Sequence, residues 1–152
     1  MNFQISNNFI KSNDVLFTNS YRDNTFYKLV EIDNNILDVL DEFIFIIDLP
    51  HQVGGTRFFL DLIISYYKQQ TIFVIAKNID KKLHLIINNE YILKDKFTLD
   101  ESLLFIENYK HKITKIFFNH IIEHKKEFIE KLFTINKHTT FITHDYYLIN
   151  GK

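Results

Sequence analysis

Residues 42–48 (EFIFIID) form a near-continuous apolar run of seven residues, without the polar alternation of a strand that keeps one face in water. Such a strand has to be covered on both faces, and that is the situation of a parallel sheet sandwiched between helices. Runs of the same kind recur at 71–76 (TIFVIA), 83–87 (LHLII), 113–119 (ITKIFFN) and 139–143 (TTFIT). Between them lie stretches with helical spacing. In 56–69, Phe59, Leu60, Ile63, Ile64 and Tyr67 share a face; 99–109 is amphipathic, with Thr98 or Asp100 near its start; 121–133 sets Ile121, Ile122, Phe128, Ile129, Leu132 and Phe133 against a charged side. The alternation predicts an α/β fold of Rossmann-like type, a mostly parallel sheet with helices on both faces and right-handed crossovers.

The first forty residues are less regular. Short apolar pieces at 15–17 and 26–30 read as extended segments, 32–40 as a short helix with Asp33 available as N-cap, and Asn88-Asn89 as a turn into the run 91–93. The expected organisation is an N-terminal extension, 1–40, of short strands and a helix, followed by a Rossmann-like domain, 41–152. A chain of 152 residues is one domain by default.

Composition narrows the function classes. Lys and Arg number 18 against 19 Asp and Glu, so no basic excess speaks for nucleic acid as a partner. There is no cysteine, which excludes disulfides, thiolate nucleophiles and cysteine zinc sites. No stretch reaches the roughly 18 to 20 apolar residues of a membrane span. The expectation is a cytoplasmic protein, soluble or at most peripheral to a membrane.

In an open parallel sheet, ligands bind beyond the carboxyl ends of the strands. The segments to inspect are therefore 48–56, Lys77-Asn78, Asn119-His120 and His144-Asp145. The first contains the only proline and two of the three glycines, and its Gly54-Gly55-Thr56-Arg57 opens a helix whose free N–H groups favour an anion. It has the spacing of neither a P-loop nor GxGxxG. Two further strands end in histidine, at Phe118-Asn119-His120 and Thr143-His144-Asp145-Tyr146-Tyr147. Neutral imidazole can both donate to and accept from sugar hydroxyls.

This ordered set, Gly54-Gly55-Thr56-Arg57, then Phe117-Phe118-Asn119-His120, then Phe141-Ile142-Thr143-His144-Asp145-Tyr146-Tyr147, resembles the N-terminal, acceptor-side half of a GT-B glycosyltransferase of the GT4-like group. The resemblance spans about residues 42–152, and the His-Asp-Tyr-Tyr segment is its most specific part. It implies transfer of a sugar from a nucleotide-sugar donor to a glycan or lipid-linked acceptor. Gly54, Gly55 and Thr56 would approach the donor phosphate or the acceptor, with Arg57 assisting. His120, His144 and Asp145 would orient hydroxyls and handle protons, and Tyr146 would line the acceptor side. No cofactor and no metal are implied. The family's second domain, which holds most of the nucleotide-sugar site, is not within these residues, so the expectation is a domain or fragment inactive alone.

Two other readings stand beside it. One is a non-catalytic α/β binding or interaction domain. The other is zinc hydrolysis by His120-Ile121-Ile122-Glu123-His124, which fits an H-x-x-E-H pattern if it is helical. Outside that reading, His124 is expected on the exposed, charged face of the 121–133 helix.

Overall fold

The computed structural model describes residues 10–18, 26–50, 54–67, 69–135 and 137–142. Eight strands and four helices follow one another as β1 (Ile10–Thr18), β2 (Phe26–Ile32), α1 (Ile36–Val39), β3 (Phe43–Asp48), α2 (Gly54–Tyr66), β4 (Phe73–Ile79), β5 (Lys82–Ile87), β6 (Tyr91–Leu93), α3 (Leu99–Tyr109), β7 (Ile113–Phe118), α4 (Lys126–Thr134) and β8 (His138–Phe141). All strands join one sheet in the order β1-β2-β6-β5-β4-β3-β7-β8. β2, β3, β4, β6, β7 and β8 run one way, β1 and β5 the other. The fold is therefore α/β and Rossmann-like, with a mostly parallel sheet.

The apolar run 42–48 is explained by two separate cores. Phe43, Phe45 and Ile47 of β3 face one layer with Ile36 and Leu37 of α1, Phe105 and Ile106 of α3, and Phe128, Ile129 and Leu132 of α4. Ile44 and Ile46 face the other, with Leu60 and Ile63 of α2. Side chains alternate sides along a strand, so a strand covered twice has no position left for a polar residue until it emerges at its end. Each large side chain so buried contributes on the order of 1.5–3 kcal/mol relative to exposure. β2 takes part in the same layers: it pairs in parallel with β6, and Leu29 and Ile32 are buried.

The helix α3 begins and ends as its sequence predicts. Thr98 accepts the Glu101 N–H while the Glu101 carboxylate accepts the Thr98 N–H at 2.8 Å, a reciprocal cap. A 3-10 turn, Lys110–Lys112, then leads into β7. The Lys112 ammonium donates to the Leu37 and Asp38 carbonyls at 3.0 and 2.9 Å, satisfying the end of α1.

One strand departs from the parallel majority, and two local expectations are corrected. β5 is antiparallel to β4, because the connection is the two-residue turn Asp80-Lys81, with φ of 52° and 64°, and a parallel crossover needs a dozen or more residues. The 32–40 helix is confined to Ile36–Val39: Ile32 is the last residue of β2, and the Asp33 carboxylate accepts the Asn35 N–H at 3.1 Å in the intervening turn. The last helix starts at Lys126 rather than 121, since 121–125 form a turn that brings the His124 ring inward.

Candidate functional site

The chain passes from β3 through α2 to β4 on one side, and later from β6 through α3 to β7 on the other side of β3. The strand order thus reverses between β3 and β7, and the carboxyl ends of these strands flank the crevice in which α/β sheets of this kind bind ligands. What stands there is a set of buried polar side chains: Asp48, Thr56, Lys77, Asn119 and His124.

Strand alternation puts three of them together. Ile44, Ile46 and Asp48 share a side of β3, Phe73, Ile75 and Lys77 a side of β4, and Phe117 and Asn119 a side at the end of β7. The register pairs Asp48 with Lys77 directly. The Asn119 amide donates to Asp48 Oδ1 and to the Thr56 carbonyl, both at 3.0 Å. One side chain therefore ties the end of β7 to the end of β3 and to the first turn of α2. The backbone reinforces this, with the Asn119 and His120 N–H groups both donating to the Ile47 carbonyl, at 2.9 and 3.1 Å.

Lys77 Nζ lies 3.7 Å from Asp48 Oδ2, and both side chains are almost wholly buried. Burial pushes the Lys77 ammonium below its ordinary range, and the Asp48 carboxylate opposes that shift.

His124 reaches the same strand end from the other core. Its Nε2 donates to the Asp48 carbonyl oxygen at 2.7 Å, since a carbonyl can only accept, and its ring stacks on Phe128 with centroids 5.8 Å apart. Only 9% of the residue is exposed. Desolvation holds its pKa down to about 4, so the ring is neutral near pH 7. The expectation of an exposed His124 is thereby overturned. The segment from His120 to His124 is not helical, so these histidines do not share a helix face as the zinc reading requires, and His120 Nδ1 instead accepts the Ile122 N–H at 3.3 Å. Among the described residues, no group of three metal-ligating side chains is brought together.

Of the residues singled out from sequence, Gly54 and Gly55 are the first two residues of α2, Thr56 is buried against Asn119, and Arg57 is half-buried. His120 is half-buried beside Asn119. His144, Asp145 and Tyr146 lie outside the described residues. In the sequence, Asp48, Lys77 and Asn119 stand out only as members of the segments that end or follow strands. The signal that finds them is the polar residue that follows the last apolar one on the α2 side, at the carboxyl ends of three adjacent strands.

Farther along the same edge, a groove of about 670 Å³ runs between α1, the end of β6 and α3, lined in part by Asn34, Lys94, Lys96 and Phe97. The Tyr109 hydroxyl closes one wall by donating to Asp38 Oδ1 at 2.7 Å. Burial, with this carboxylate second, pushes its pKa up to about 12.

No protein-family model, curated protein or solved structure matches this chain. No helix among the described residues is long and apolar enough to cross a membrane.

Proposed function

We propose that the chain is the acceptor-side domain of a cytoplasmic GT-B glycosyltransferase, one that moves a sugar from a nucleotide sugar to a glycan or lipid-linked acceptor and has no turnover by itself. The observation that carries this reading is the seat of α2. Its N-terminus, opened by Gly54-Gly55 at the strand-order reversal, is anchored through Thr56 and Asn119 directly beside His120. A helix N-terminus there, with its positive dipole end fixed in advance by a buried polar network, suits a diphosphate whose charge grows as the sugar leaves. His120, with His144 and Asp145 of the resembling motif, would orient the acceptor hydroxyl.

The test is amide NMR on the chain with pyrophosphate, uridine diphosphate and a uridine diphosphate sugar. Saturable shifts at residues 54–57 and 119–120, weakened in His120→Ala only for the sugar-bearing ligand, are expected. If none of these ligands moves those amides, the transferase reading falls.

A further inference from the structure

We draw no further inference here: the strongest candidate, the groove of about 670 Å³ between α1, the end of β6 and α3, carries nothing, because its lysines Lys82, Lys94 and Lys96 are matched in charge by Asp38, Asp95 and Glu101 and nothing in the structure shows what covers it.

Discussion

Two clusters in this molecule use the same chemistry, a carboxylate facing lysine, in opposite surroundings. At the ends of β3 and β4, Asp48 and Lys77 are sealed from water and tied to Asn119. On the outer surface, Glu107 of α3 meets Lys110 of the 3-10 turn that follows it and Lys131 of α4, the latter at 2.9 Å, all of them partly in solvent. Hydrogen bonds from these two lysines hold the Glu107 carboxyl down to about 2. Both clusters look like stabilising ion pairs, yet solvent decides their weight. An exposed pair gives up little on breaking, because water and salt replace the partner. A buried pair is costly to assemble and far more costly to break from one side. The inner cluster is therefore the one whose integrity the sheet depends on.

The largest expected effect breaks the inner cluster. Asp48→Ala removes the carboxylate that faces Lys77 and accepts from Asn119, and should lower stability by about 3–5 kcal/mol in urea unfolding. If the loss is no larger than that of an exposed pair, the contrast between the two clusters fails.

Acid sharpens the comparison next. The folded pKa of His124, about 4, lies below its ordinary 6.5, so the unfolded chain takes up a proton that the native chain refuses. This contribution is fully present above pH 6.5 and is lost as pH falls from 6.5 toward 4. It amounts to about 3 kcal/mol for a shift of this size. His84, also held down to about 4 by burial first and Lys96 second, titrates in the same window. Urea midpoints between pH 7 and pH 4.5 should fall steeply in the native sequence and less steeply in His124→Gln. An identical slope in the two proteins would place the acid sensitivity elsewhere.

The smallest effect belongs to the outer cluster. Glu107→Gln should leave the unfolding midpoint unresolved from that of the parent at moderate salt, and added salt should erase any residual difference. A loss comparable to Asp48→Ala would mean that the α3–α4 contact, not the strand ends, is the sensitive point.

Much of the fold is legible along the chain because it rests on local periodicity. The doubly covered strand 42–48 stands out as an apolar run, and the cap of α3 can be read from Thr98 and Glu101 together. The direction of β5 was harder to see, since Asp80-Lys81 carries neither the glycine nor the asparagine that usually marks a two-residue hairpin turn. Of the site, the helix-opening Gly54-Gly55 and the strand-terminal His120 were visible as motifs. His124 was misplaced because five of its neighbours, Glu123, Lys125, Lys126, Glu127 and Glu130, are charged, and helical continuation from 121 would have put it among them.

By itself, then, the amino-acid sequence determined the class of the fold, because two-sided burial and helical amphipathicity are properties of neighbouring residues. It also marked Asp48, Lys77 and Asn119 as the first polar positions after apolar strand cores. Tertiary structure alone decided that these three meet, because their partnership depends on strand order and register across 71 residues from Asp48 to Asn119. It alone turned His124 inward as well. A turn five residues long, closing on a carbonyl of another strand, leaves no periodic trace in the chain that forms it.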